Sequence, residues 1–234
     1  MKTARLRHDA RGDRADRGLT GTRPTYRDAA AHGRTVAFGK VLQRHRTDRV
    51  LDIGCSGGWL SEVMPEGSVL YGVDIPPGHP GDRLRTFALA DGRALPFADE
   101  TFDAVVLLEV IEHVPANTEP QLLTEAHRVL RAGGFVLLST PNQHLVARLM
   151  DPAWWLSGHR HYSAGRVSEM LVAAGFRDPA VSVTGGTWTT LYFPLFCVLN
   201  RLGGRVPFEA AWRRLITREL QRPGWHTVLA ETSK

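Results

Sequence analysis

Residues 50–58 read Val50-Leu51-Asp52-Ile53-Gly54-Cys55-Ser56-Gly57-Gly58, and a second apolar run, Val69-Leu70-Tyr71-Gly72-Val73, ends in Asp74, twenty-two residues after Asp52. A strand, a glycine turn opening a helix, then a strand closed by an acid make the nucleoside-binding half of a doubly wound α/β fold. The right-handed crossover rule sets the turn and the acid together at the carboxyl ends of parallel strands.

The residue types explain what such a turn can hold. Glycines at 54, 57 and 58 let the chain leave a strand sharply and keep Cβ atoms out of a ligand's way, so that backbone N–H groups reach it. Asp74 is placed to accept both hydroxyls of a ribose as charge-assisted hydrogen bonds. The loop lacks the spaced G-x-G-x-x-G, so the glycines alone do not say which ribose-containing cofactor binds.

The remaining motifs do. Asp52-Ile53-Gly54-Cys55-Ser56-Gly57-Gly58, Tyr71-Gly72-Val73-Asp74, Ala90-Asp91-Gly92-Arg93-Ala94-Leu95-Pro96-Phe97, Phe102-Asp103-Ala104-Val105-Val106 and Leu130-Arg131-Ala132-Gly133-Gly134 resemble, in order, the motifs of class I S-adenosylmethionine-dependent methyltransferases. The resemblance runs from about Thr35 to Gly175, fades through 185–224 and returns in a final strand at 226–231. It implies a Rossmann-like, seven-stranded, mostly parallel sheet and S-adenosyl-L-methionine as cofactor, with S-adenosyl-L-homocysteine as product. It places Asp52, Gly54, Cys55, Ser56, Gly57, Asp74, Ile75, Asp91, Gly92 and Glu109 on the cofactor, Asp91 receiving the adenine amino group and the next backbone N–H meeting the ring. Ser56 stands where relatives carry glycine, which predicts a wider turn or differently aimed N–H groups.

Periodicity supplies the path of the chain. Residues 49–53, 68–73, 86–90, 102–108 and 133–139 are apolar runs of strand length. Between the last two, Thr118 and Gln121 form a capping-box pair, Pro120 lies in the first turn, Leu122, Leu123, Ala126, Val129 and Leu130 make one stripe, and Gly133 is expected to end the helix. Thr25 to Gln43 reads as a helix, a lid over the cofactor that brings Tyr26 to it. Ser163 caps a helix carrying Val167, Met170, Leu171 and Ala174, which Gly175 ends. Asp103, at the far end of its strand, reads as structural.

Charge and composition bound the rest. Residues 1–49 carry 13 Lys and Arg against 5 Asp and Glu, and residues 50–234 carry 16 against 19, so the body of the chain is not basic. Residues 1–21 are expected to be a flexible, disordered basic arm, and 22–234 one domain. An RNA enzyme working through that arm is an alternative, as is a partner protein that binds the cofactor without catalysis; a body without basic excess argues against nucleic acid. Two cysteines, Cys55 and Cys197, in no C-x-x-C pair, suit a reducing cytoplasm. The longest apolar run, Leu191 to Leu199, is interrupted by Pro194, so no membrane span is expected.

The acceptor side is read from the segments that leave the fourth and fifth strands. Leu108-Glu109-Val110-Ile111-Glu112-His113-Val114 lacks the proline-aromatic tetrapeptide of base-amino methyltransferases. Ser139-Thr140-Pro141-Asn142 and Gly158-His159-Arg160-His161-Tyr162-Ser163 resemble the subgroup of quinone-biosynthesis and natural-product O-methyltransferases. This implies a small-molecule acceptor, with Asn142, His159, Tyr162, Trp154 and Trp155 beside it, and segments 150–165 and 185–224 covering it. The aromatic residues of 185–224 serve equally well in ordinary packing or in the contact of a homodimer. The transfer is an in-line displacement in which the protein aligns the partners and removes a proton. His161 is the first candidate base and His113 the second, although for His113 capping of a short turn is an equal reading; N-, C- and carboxyl-methylation remain open. His-x-His with no acid or cysteine beside it in the sequence predicts no metal site.

Overall fold

The computed structural model describes residues 29–76, 83–84 and 86–234, the side chains of 156 and 157 excepted. The arm at 1–21, Tyr26 and the start of the first helix lie outside the described residues. Chain order is α1 (Ala29–Leu42), β1 (Arg49–Ile53), a 3-10 helix (Trp59–Val63), β2 (Val69–Asp74), β3 (Thr86–Leu89), β4 (Phe102–Leu108), α2 (Glu119–Val129) and β5 (Leu130–Pro141). There follow α3 (Leu145–Leu149), α4 (Pro152–Ser157), α5 (Ala164–Ala173), β6 (Arg177–Thr184), α6 (Thr187–Arg201), α7 (Glu209–Glu219) and β7 (Thr227–Ser233). The seven strands form one sheet in the order β3-β2-β1-β4-β5-β7-β6, parallel except for β7, which runs antiparallel to both neighbours. This is the doubly wound, mostly parallel sheet that the motifs predict.

Covered on both faces, the central strands are apolar at nearly every position, and period-two alternation divides their side chains between two cores. Leu51, Ile53, Val105, Leu107, Val136 and Leu138 pack with Leu122, Leu123 and Ala126 of α2 and Val167 and Leu171 of α5. Val50, Ala104, Val106 and Leu137 pack on the other face with Phe38 and Leu42 of α1. A third cluster joins Ala29 and Ala30 of α1 to Tyr192 of α6 and Ile216 and Leu220 of α7, so the insertion between β6 and β7 is a helical cover docked on the first helix. No helix among the described residues is long and apolar enough to cross a membrane.

Several local expectations are corrected. The glycine turn opens a five-residue 3-10 helix, not a full α-helix; Pro65, which cannot donate an N–H, follows it at once. Thr118 precedes α2, but its hydroxyl donates to the Pro115 carbonyl at 2.6 Å instead of capping the helix. Gly133 does not end that helix. Leu130 already pairs with Phe102 in the sheet, and the chain bulges before Ala104 meets Phe135, with Gly133 at φ +74° inside the bulge. Ser163 does cap α5, its hydroxyl accepting from Arg166 N. Asp103 is structural as expected: its Oδ2 accepts the N–H groups of Asp48 and Arg49, each at 2.8 Å, and its Oδ1 meets Arg131.

The close approach of α1 to the 3-10 helix depends on Gly39, where an added Cβ would stand 2.6 Å from Val63 Cβ. Gly39→Ala is therefore expected to destabilise the protein by about 1–3 kcal/mol in urea unfolding, and Val63→Ala in the same chain to recover part of that loss. Equal stability of Gly39→Ala and wild type would show that α1 does not pack this tightly.

Candidate active site

β1 and β4 are neighbours whose connections leave in opposite directions across the sheet, so a crevice opens beyond their carboxyl ends. The β1 turn is tied to β2 by the N–H groups of Gly54 and Cys55, which both donate to the Val73 carbonyl, at 2.8 and 3.2 Å. Gly54 lies at φ +72°, and a Cβ there would come 2.7 Å from Val110, so this glycine lets the segment after β4 close against the turn. Ser56 adopts φ +43°, in the left-handed region that favours glycine. Its N–H donates to Asp74 Oδ2 at 2.7 Å, while Ile75 N donates to Oδ1 at 2.8 Å. The departure at position 56 is thus resolved: turn and acid are hydrogen-bonded to each other.

Burial, then these two N–H groups working against it, leave the Asp74 carboxyl above its ordinary range. Asp52, buried at the end of β1, is pushed up to about 8 by desolvation and by the Asp74 charge. Cys55 is a buried thiol raised by desolvation and by the Asp52 and Asp74 charges. Asp91 follows β3 but is paired with its neighbour Arg93, whose Nη2 donates to Oδ2 at 2.6 Å. Its carboxylate is thus already engaged by a guanidinium. Gly92 packs close to Leu122 and Ile53.

Glu109, just past β4, takes φ +55° and is held from two sides: its N–H donates to the Ser139 carbonyl at 3.1 Å, and its Oε1 accepts the Ser139 hydroxyl at 2.7 Å. Arg34 of α1 lies 3.7 Å from Oε1. Together they line a cavity of about 30 Å³ with His159, His161, Asp151, Thr189, Phe193 and His226. Such a volume admits a water or two.

The His-x-His segment reaches this cavity because it is stapled to the loop after β4. Arg160 Nη2 donates to the carbonyls of Ile111, at 2.9 Å, and Val114, and Nη1 lies 3.4 Å from Glu119. Asp151, N-cap of α4, accepts Ala153 N on Oδ1 at 2.8 Å. Its Oδ2 faces His159 Nδ1 and His161 Nε2, both at 2.8 Å. Burial opposes ionisation of Asp151, but the hydrogen bonds of His159 and His161 override it and hold the carboxyl well below the usual range. His161 Nδ1 lies 3.0 Å from the Asn142 carbonyl. Behind His159, its Nε2 faces Glu112 Oε1 at 3.7 Å. Glu112 is raised well above the ordinary carboxylate range by burial and the Glu109 charge, while its Oε2 accepts the Thr140 hydroxyl.

Other candidates sit apart from the cavity. His113 is exposed and lies outside the cavity wall, its ring tilted 37° against that of His159 with centroids 4.6 Å apart. Tyr162 is buried, and its hydroxyl donates to Glu119 at 2.8 Å. Asn142 uses its side-chain N–H₂ to hold the Trp225 carbonyl. Trp154 packs under Arg148, and Trp155 is 61% exposed, so neither tryptophan lines the cavity. Most aromatics of the insertion pack on one another, as Tyr192 does on Phe196 and Trp212; Phe193 alone among them reaches the wall.

Arg34, Asp151 and His226 were missed. His226, which burial lowers to about 4, is a neutral imidazole in the wall near neutral pH. Asp151 carried a signal, since Asp before Pro is a helix N-cap pattern. Arg34 and His226 carried none. Nor is the His-x-His pair without acids: Asp151 and Glu112 meet it in space, and the ligand atoms of Asp151, His159 and His161 lie within 4.8 Å of one another, as do those of Glu112, His113 and His159.

Fold and site together define a class I S-adenosylmethionine-dependent methyltransferase. The chain matches the family described as Methyltransferase domain over residues 24–180 and belongs to it. It is 33% identical over 158 residues to a ubiquinone biosynthesis O-methyltransferase of Idiomarina loihiensis, an alignment that covers 57% of this chain and 63% of that one. To its counterpart in Pseudomonas aeruginosa it is 36% identical over 113 residues, covering 43% and 47%. The chain thus spans less than two thirds of the length of these curated relatives. A SAM-dependent methyltransferase from Archaeoglobus fulgidus superposes with a TM-score of 0.60 at 19% identity, covering 87% of this chain and 92% of that one. The 1,6-didemethyltoxoflavin-N1-methyltransferase of Burkholderia thailandensis, solved with 1,6-didemethyltoxoflavin and S-adenosylhomocysteine, gives 0.60 at 18% identity, covering 100% and 93%. At these identities the likeness is one of fold.

The raised Asp52 carboxyl has a pH signature. Between its ordinary value of 3.8 and its folded value of about 8, the folded protein keeps a proton that the unfolded chain has released, so stability falls as pH rises through that window. Asp52→Asn removes this contribution. Calorimetry across the window is expected to show a smaller loss of melting temperature for the variant than for wild type, and parallel curves would contradict the assignment.

Proposed function

We propose that this chain transfers the methyl group of S-adenosylmethionine to a hydroxyl oxygen of a small acceptor, a quinone-like or natural-product phenol. The observation that carries this reading is the bonded pair of Ser56 N and Asp74, which sets a ribose-type acid against a glycine turn, at one end of a crevice whose other end is the histidine-lined cavity. The quinone O-methyltransferases among the relatives support the acceptor class. Wall residues Ala30, Pro141, Ala147, Met150 and Phe193 supply apolar surface for a ring.

In this reading Asp74 takes the ribose hydroxyls, giving up the Ser56 N–H, and Asp52 and the turn face the amino-acid end of the cofactor. Asp91 and Gly92 receive the adenine, and Glu109 stands beside the sulfonium. Tyr26 and α1 cover the cofactor. The sulfonium is the leaving group, so the protein's task is alignment, exclusion of water and handling of the hydroxyl proton. We assign that last role to His161, held by Asp151. As a base, its Nδ1 would first leave the Asn142 carbonyl. His113, on the far side of His159, acts at most through it. Cys55 and Cys197 form no disulfide among the described residues, which suits work in the cytoplasm.

Two substitutions separate binding from turnover. Asp74→Ala is expected to weaken S-adenosylhomocysteine binding about ten- to a hundredfold in calorimetry. His161→Gln should leave that affinity nearly unchanged while lowering turnover on a catechol acceptor by about a hundredfold or more. An unchanged affinity in the first variant, or full turnover in the second, overturns the corresponding assignment.

A further inference from the structure

We propose that Asp151, His159 and His161 bind one divalent cation of the zinc class, with an open coordination position facing the cavity. The donors are Oδ2 of Asp151, Nδ1 of His159 and Nε2 of His161, with both N···O separations at 2.8 Å. Two imidazoles and one carboxylate with a vacant fourth position form the donor set of catalytic zinc and related transition-metal sites. Two nitrogen donors disfavour magnesium and calcium, which take oxygen ligands. A tetrahedral cation with bonds of about 2.0–2.1 Å spaces its ligands about 3.3 Å apart. Each N···O contact would open by about half an ångström, within the reach of a side-chain rotation.

The hydrogen-bond partners of the two histidines suit a cation between them. His161 faces an acceptor at each nitrogen, the Asn142 carbonyl at Nδ1 and the Asp151 carboxylate at Nε2. A neutral imidazole has one N–H and satisfies only one of them. A cation on Nε2 replaces the missing proton and leaves Nδ1–H for the carbonyl, the outer hydrogen bond that metal-bound histidines make.

His159 repeats the arrangement in mirror order. Its Nε2 and Glu112 Oε1 face each other at 3.7 Å, both buried, and neither has a hydrogen-bond partner among the described residues. With a cation on Nδ1, Nε2 carries its proton towards that carboxyl oxygen. Asp151 completes the set, since Oδ1 is fixed by Ala153 N and Oδ2 is left to the metal. Thus each ligand's second atom already faces a protein group.

All three residues line the cavity, so the open position points where an acceptor would lie. There the cation would bind a hydroxyl oxygen and make it more acidic, its proton passing to water. Use of the cation in this way rests on the proposed methyl transfer; the site itself does not. His161 would then act on the acceptor through the metal and not as a base.

The test uses the full chain, stripped with chelator and titrated with Co²⁺ and Zn²⁺, following the visible bands of Co²⁺ and the heat of Zn²⁺ binding. We expect one cation per chain, displaced from Co²⁺ to Zn²⁺. Asp151→Asn, which retains the cap acceptor, and His161→Gln should each weaken binding by about a hundredfold or more, and Glu112→Gln by about tenfold or more. His45→Gln, an exposed imidazole beside Glu231 on the surface, should match wild type. Binding of S-adenosylhomocysteine checks that each variant is folded and, because it does not involve the metal, reports the methyltransferase reading separately. Absence of a one-to-one site in the wild type, or equal Zn²⁺ affinity in Asp151→Asn and His161→Gln to that of wild type, overturns the proposal and leaves the three residues as a hydrogen-bonded brace.

Discussion

The parallel pairing of β1 with β4 is the constraint on which the site depends. The register sets Ile53 against Leu107, so Gly54 and Glu109 emerge near each other beyond the sheet. Both strands are fully sandwiched, and a slip of one residue would turn Leu51 and Val105 out of their core. The position of the turns is therefore set by apolar burial far larger than any energy at the site itself. That rigidity supports backbone that would otherwise relax. Ser56 and Glu109, both non-glycine residues with left-handed φ, each cost about 1–3 kcal/mol relative to an ordinary conformation. The first is held by Asp74 and the second by Ser139, each through short hydrogen bonds.

The other wall is assembled from pieces distant in sequence. Arg160 fastens the His-x-His segment to the carbonyls of Ile111 and Val114, and Asp151 draws both histidines onto a single carboxylate oxygen. α1 closes the space by docking between the insertion helices and the sheet, its Ala29 N–H donating to the buried Tyr192 hydroxyl. The His-x-His loop is thus anchored to the same strand end that carries Glu109.

How much of this is legible in the sequence depends on how local each physical signal is. β1, β2 and β4 are continuous apolar runs in a doubly covered sheet, and the glycine turn and Asp74 follow consecutive strands that pair side by side, so both were legible. Gly133 misled because a positive-φ glycine serves a bulge as well as a helix end. The Thr118 capping box failed because the same hydroxyl could reach the Pro115 carbonyl. Trp154, Trp155 and Tyr162 suggested a binding surface by composition, yet which way they face is decided by α4 packing and by Glu119. Of the acids around His159 and His161, Glu112 comes from the loop after β4, whereas Asp151 stands just before the His-x-His segment and reads in the sequence only as a helix cap.

The most direct test is a crystal structure of the chain with S-adenosylhomocysteine. The account predicts both ribose hydroxyls on Asp74 in place of the Ser56 N–H, the adenine at Asp91 and Gly92, and the sulfur beside Glu109, directed into the cavity that Asp151, His159 and His161 line. A nucleoside bound elsewhere, or a sulfur turned away from that cavity with the Ser56–Asp74 bond intact, would contradict it.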